Sequence, residues 1–253
     1  MKSEARDPVG SVNSSPPRRA IAKGLLWTVP SAVVATTAPA FAASCPPQAY
    51  TAPFTTEYYR RESTTAATGQ SSPVEGAQPV TYTVTSESIG GKNLQPSNLT
   101  VAGDINGGYN GLGDLRSDGL QLQQTGGTGG YPSRQVLTIT FDRPVSDLRL
   151  TIADIDRRGS SDLTTSTSTY HDGIAVAPTV AVVNSGSVTG AANTGDPLRA
   201  TRVGERNSDD MTTRSTVSVL EPTRSVSITY WSITGSYYQQ VFLTGMSFTA
   251  EGC

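Results

Sequence analysis

The chain has 253 residues, a formal net charge of −2 and only 16% charged residues, so nothing electrostatic argues for nucleic acid or an anionic membrane as partner. A single histidine and two cysteines exclude a His- or Cys-rich zinc site and leave little material for a Ser-His-Asp triad. Plentiful glycine, serine and threonine, with ten tyrosines among few aromatics, suit a β-rich extracellular domain of short strands and many turns.

In chain order, Arg18-Arg19-Ala20-Ile21-Ala22-Lys23 is followed by an apolar stretch to Phe41 and a small-x-small site at Ala40-Phe41-Ala42. Residues 1–43 are therefore expected to be a twin-arginine-like signal peptide. Pro17 stands where a Ser or Thr usually precedes the arginines, which leaves the general secretory route open. Thr28, Pro30, Ser31 and Pro39 make the stretch too weak for a lasting membrane span, so no transmembrane segment is expected in the mature chain. Cleavage leaves Cys45 close to the new N-terminus, while Cys253 ends the sequence. In an oxidising compartment the two are expected to pair, closing a loop that is worth roughly 5 kcal/mol in the chain-entropy model. The alternative is lipoprotein processing at Cys45, with Cys253 left free.

Residues 44–79, rich in proline and without clear periodicity, are expected to form an N-terminal arm and loop with one edge strand near Phe54–Tyr59. From residue 80 the pattern has period two: Val80, Tyr82 and Val84; Leu99 and Val101; Leu120 and Leu122; Leu137, Ile139 and Phe141; Leu148, Leu150 and Ile152. Asp142–Ser146 reads as a hairpin turn or crossover between the last two runs. Ile174–Val183, Thr216–Leu220, Val226–Trp231 and Gln240–Ala250 supply further strands. Residues 80–253 are thus expected to be a single antiparallel β-sandwich of the all-β class, jelly-roll in topology, with a closed barrel as the alternative.

The run Leu148–Asp156 holds the most specific chemical signal. In strand register, Asp154 and Asp156 follow Leu148, Leu150 and Ile152 on the inward face, where carboxylates are costly unless paired or coordinated. Either the strand ends at Ala153 and the acids enter a loop, or a cation meets them. Arg157 and Arg158 are at hand, and so is Ca²⁺ with Asp154, Asp156 and Asp172 as ligands. His171 beside Asp172 reads as a solvated loop residue. Asp104, Asp114, Asp118, Asp154 and Asp156 keep glycoside hydrolysis open. Tyr109, Tyr131, Trp231, Tyr237 and Tyr238 lie in or beside turns, where aromatic faces could stack on sugars. Asn98-Leu99-Thr100 matches a glycosylation sequon, which has meaning only in a eukaryotic secretory pathway.

The leader resembles those of surface proteins from high-GC Gram-positive, actinobacterial-type bacteria. Leu137–Asp156, with Tyr170-His171-Asp172 and Leu243–Cys253, resembles a recurrent β-sandwich module of bacterial surface and secreted proteins. That resemblance spans about half of the mature chain. It implies fold type, adhesion or glycan binding, and no catalytic residue set. The expectation is a secreted, non-catalytic binding or adhesion module, released or loosely held at the envelope. Its favoured partner is an extracellular glycan, with a surface protein next. The alternatives are a structural envelope protein or a glycan-acting hydrolase.

Overall fold

The computed structural model describes residues 45–101, 113–159, 169–235 and 237–253. The expected leader, Asp104 and Tyr109 lie outside the described residues. Sixteen strands alternate with turns: β1 (Pro47–Ala52), β2 (Tyr59–Arg61), β3 (Ala66–Gln70), β4 (Thr81–Ile89), β5 (Lys92–Leu94), β6 (Leu120–Gly126), β7 (Arg134–Ala153) and β8 (Arg157–Arg158). They continue as β9 (Tyr170–Ala177), β10 (Val180–Asn184), β11 (Val188–Thr189), β12 (Arg199–Ala200), β13 (Ser215–Val219), β14 (Thr223–Ser232), β15 (Gln239–Leu243) and β16 (Met246–Glu251). The fold is all-β and its ladders are antiparallel. No helix among the described residues is long and apolar enough to cross a membrane.

The organising element is β7, a single strand of 20 residues. The two alternating runs expected to be separate strands are its two halves. Asp142–Ser146 makes no turn, because the irregularity is absorbed as a bulge: Ser225 faces Thr140 and Thr223 faces Val145, so Phe141–Pro144 stand against Arg224 alone. Pro144, which has no N–H to give a ladder, sits in that gap. The first half of β7 pairs with β4 and β14, within the order β2-β3-β4-β7-β14-β9-β8. The second half pairs with β13, β15 and β16. One strand thus serves two layers, an arrangement consistent with a sandwich.

Between the layers lies the apolar side of each alternating strand. Leu137, Ile139 and Phe141 from the first half of β7, and Leu148, Leu150 and Ile152 from the second, are all buried. Tyr82 meets Phe141 at 6.1 Å between ring centroids, and Phe141 meets Phe248 of β16 at 5.4 Å, so aromatic contacts carry the core from one layer to the other. Each such ring or branched side chain contributes about 1.5–3 kcal/mol on leaving water.

The segment expected to be an arm is part of the sheets. β1 pairs with β16 from Pro47↔Glu251 to Ala52↔Met246, β2 and β3 form an antiparallel pair, and Phe54 and Tyr59 are buried. Its prolines misled because they fall between strands (Pro53, Pro73, Pro79) or open the edge strand β1, where a missing N–H costs nothing. Leu99 and Val101, conversely, form no strand. Leu99 has φ 65°, and Val101 makes one isolated bridge to Leu120. Cys45 and Cys253 are disulfide-bonded with Cα atoms 5.4 Å apart across a separation of 208 residues. The alternative of a free Cys253 is therefore set aside.

Candidate functional site

β7 ends at Ala153 because Asp154 takes a left-handed backbone, φ 66°, and the Ile155 amide leaves the ladder for Thr213 O at 3.0 Å. Period two is lost at that point, and Asp154, Ile155 and Asp156 are all buried. The acids therefore leave the strand without reaching solvent. Ser208 Oγ (2.9 Å) and Gln240 Nε2 (3.2 Å) donate to Asp154 Oδ2. The Arg206 amide donates to Asp156 Oδ2 at 2.8 Å. Asp172, fully buried on β9, accepts from the Asp156 amide at Oδ2 (3.0 Å) and from Tyr230 Oη and Gln239 Nε2 at Oδ1 (both 2.9 Å).

These donors are backbone amides and neutral side chains, so they offset little of the cost of three buried negative charges. Burial first, and mutual repulsion next, push Asp154 up to about 8 and Asp172 well above the usual carboxylate range. Burial likewise raises Asp156 to about 6. Protonation is the cheapest way to neutralise such a cluster. Arg158, expected as a counter-ion, lies instead over the Tyr237 ring at 4.5 Å and near Glu205 at 3.8 Å. Among the described residues no group of three or more His, Cys, Asp or Glu is placed to hold a metal ion. One buried oxygen, Asp154 Oδ1, has no hydrogen-bond partner.

His171 is not a loop residue. It lies on β9, buried, with Nε2 3.1 Å from Ala200 O, and burial pushes its pKa down to about 4. Two further members of this interior were not singled out from sequence. Gln239 bridges Asp172 and Lys92, whose Nζ lies 3.4 Å from Gln239 Oε1. Lys92 is 3% exposed, and burial lowers its pKa to about 8 against the opposing pull of Asp172. The available signal was positional: Lys92 directly follows a Gly-Gly turn, and its burial comes from contacts with strands far away in sequence.

The expected aromatic platform is not assembled as such. Trp231 is 4% exposed, with Tyr131 edge-on at 5.2 Å and 90°. Gly173, its ladder partner, leaves room for the indole: a Cβ there would stand 2.8 Å from Trp231 Cε2. Trp231 is thus core, with no free face for a sugar. Tyr131 is 39% exposed and carries Arg134 over its ring at 4.5 Å. Tyr237 and Tyr238 are half-buried, Tyr237 beneath Arg158. Of the acids weighed for hydrolysis, Asp114 is gripped by both Arg214 nitrogens (2.7 and 2.6 Å), whose hydrogen bonds hold it below the usual range. Asp118 accepts from the Phe54 amide at 2.9 Å. Asn98 is buried in hydrogen bonds with Thr64, Ser86 and Gln135, so its sequon offers no free acceptor.

A surface site is more apparent on the outer face of the first layer. The register places Arg60, Thr68, Thr83 and Thr140 in one row across β2, β3, β4 and β7, with Gln70 opposite Thr81 in the next. The row behind it, Tyr59, Gly69, Tyr82 and Phe141, faces inward. Gly69 is required there, since a Cβ would stand 2.3 Å from the Tyr82 ring. Over the outer row lies an open groove of about 710 Å³, walled by Thr56, Glu57 and Tyr58 on one side and reaching Asp142 on the other. Asp142 Oδ2 is fixed by the Thr81 amide (3.1 Å) and hydroxyl (3.0 Å). The volume is that of a small-ligand site. No family model, curated protein or solved structure matches the chain.

Proposed function

We propose that this chain is an exported, non-catalytic binding module of the cell envelope or its surroundings, and that the groove over β2, β3, β4 and β7 takes a glycan segment. The observation that carries this reading is the groove's lining. Hydroxyls at fixed strand spacing, the Gln70 amide, the Arg60 guanidinium, the Tyr58 ring and two carboxylates present many weak donors and acceptors on an open surface. Such a lining complements a polyol better than an apolar ligand or a polyanion. The acids with raised pKa, which acid catalysis would use, belong to the interior and not to the groove. Export rests on the leader sequence, and the disulfide supports an oxidising destination.

The test uses the disulfide-bonded chain beginning near Cys45 on an array of bacterial and environmental polysaccharides, beside Arg60→Ala and the double variant Thr83→Val/Thr140→Val. Saturable binding to one glycan class that weakens at least tenfold in both variants supports the groove. Binding untouched by either variant places the site elsewhere. A blank array for the parent protein, together with self-association in solution, favours a structural envelope role.

A further inference from the structure

Lys92 is the only lysine after residue 23 and stands where an ammonium group is badly served. Gly90 and Gly91, at φ 67° and 81°, turn the chain from β4 into β5, and Lys92 follows them into the interior. β6 pairs with β5 on one side (Lys92↔Gly126) and with β15 on the other (Gln239↔Gln124), which brings Lys92 and Gln239 together across one strand. The Nζ to Oε1 separation of 3.4 Å is long for a charge-assisted hydrogen bond, and an ammonium carries three protons that need acceptors. The nitrogen of the same carboxamide donates to Asp172 Oδ1 at 2.9 Å. An amine, a carboxamide and a buried carboxyl group thus stand in sequence, shielded from water.

We propose that Lys92 and Gln239 join in an intramolecular isopeptide cross-link, with Asp172 transferring the proton. The unprotonated Lys92 amine attacks Gln239 Cδ and forms a C–N bond. Asp172 gives its proton to the departing Nε2 and recovers one from the attacking nitrogen, and the Cδ–Nε2 bond breaks. Amine plus carboxamide gives a secondary amide plus ammonia, with no oxidant, reductant or co-reactant, and Asp172 ends as it began. The environment favours both partners. Burial favours the uncharged amine of Lys92 and the protonated carboxyl of Asp172. Neighbouring strands hold the groups in place, so the step carries the advantage of an intramolecular reaction. The product exchanges a poorly solvated ammonium for a neutral amide, which the interior tolerates at far lower cost. This proposal does not depend on the glycan reading.

The experiment is mass spectrometry of the parent chain with its N-terminus identified. The expected intact mass lies about 17 Da below that of the disulfide-bonded sequence, the mass of one ammonia. After reduction, trypsin is expected to yield a branched peptide joining residues 62–116 to 225–253, uncut at Lys92. Lys92→Arg and Asp172→Asn are expected to appear at full mass. A parent chain at full mass that trypsin cuts after Lys92 overturns the proposal without recourse to any variant. A deficit of about 18 Da at Lys92 would mean an amide to a carboxyl group and overturns Gln239 as partner. Retention of the deficit in Asp172→Asn overturns the role given to Asp172.

Discussion

The outer face of β3, β4 and β7 and the interior around β9 and β15 both present polar side chains, with different consequences. Outside, Thr68, Thr83 and Thr140 form a row whose hydroxyls exchange freely with water, so each is replaceable and only the array has meaning. Inside, Tyr230, Gln239 and the Asp156 amide are each tied to Asp172 by an individual hydrogen bond, and Asp154 is held by Ser208 and Gln240. Solvent makes the first region tolerant and chemically ordinary. Its exclusion makes the second exacting, shifts every titratable group in it, and creates the conditions for reaction. Polarity alone therefore does not mark a site, and the number of places each polar atom has to go is more informative.

The contrast has measurable consequences. Asp172→Ala removes the acceptor of Tyr230, Gln239 and the Asp156 amide together, and is expected to lower stability by about 3–5 kcal/mol in urea unfolding. Gly69→Val forces a side chain into the Tyr82 ring directly beneath the tolerant face, with an expected loss of about 2–3 kcal/mol by the same measurement.

A pH series separates the regions without mutation. Asp154, Asp156 and Asp172 have native pKa values above their ordinary 3.8, two of them about 8 and about 6, so the folded state holds protons that the unfolded chain has released. Their contribution is fully present in acid and is lost as pH rises through the native values. His171, lowered to about 4 from 6.5, acts in the opposite sense, and its contribution is lost only as pH falls below 6.5. A Lys92 amine not joined to Gln239, lowered to about 8 from 10.5, would oppose the acids chiefly above pH 8. Between about pH 6.5 and 8 the acids dominate, and the urea midpoint is expected to fall, corresponding to about 1–2 kcal/mol. A midpoint that stays level or rises over that interval would show the interior acids already ionised. The smallest effect belongs outside: Thr83→Val/Thr140→Val is expected to change stability by less than about 0.5 kcal/mol while weakening glycan binding.

How much of this was legible in the chain depended on how far each cause lies along it. Strand existence was local and readable: Tyr82 and Val84, Leu137 to Phe141, and Leu148 to Ile152 alternate as they are buried. The union of the last two runs into β7 was not, because Asp142–Ser146 looks like a turn in isolation and becomes a bulge only when Arg224 stands opposite. The pairing of the two cysteines followed from their number and the expected compartment. The acids at 154 and 156 were rightly suspected as expensive. Their resolution was hidden, since Ser208 and Gln240, which hold Asp154, come from segments more than fifty residues away. Trp231 misled because its position near a turn says nothing of Gly173 and Tyr131, which enclose it.

The Cys45–Cys253 bond also has a mechanical meaning. It holds the two ends of the described chain with Cα atoms 5.4 Å apart, beside the β1–β16 ladder that would otherwise be the first to peel. Tension applied across those ends passes through two sulfur atoms and never loads the sheets. Opened and unravelled in a chain without the Lys92–Gln239 cross-link, the same 208-residue span would pay out to roughly 700 Å of thread. With that cross-link formed, the stretch between residues 92 and 239 would stay closed, and only the two flanking segments would give slack when the disulfide is reduced.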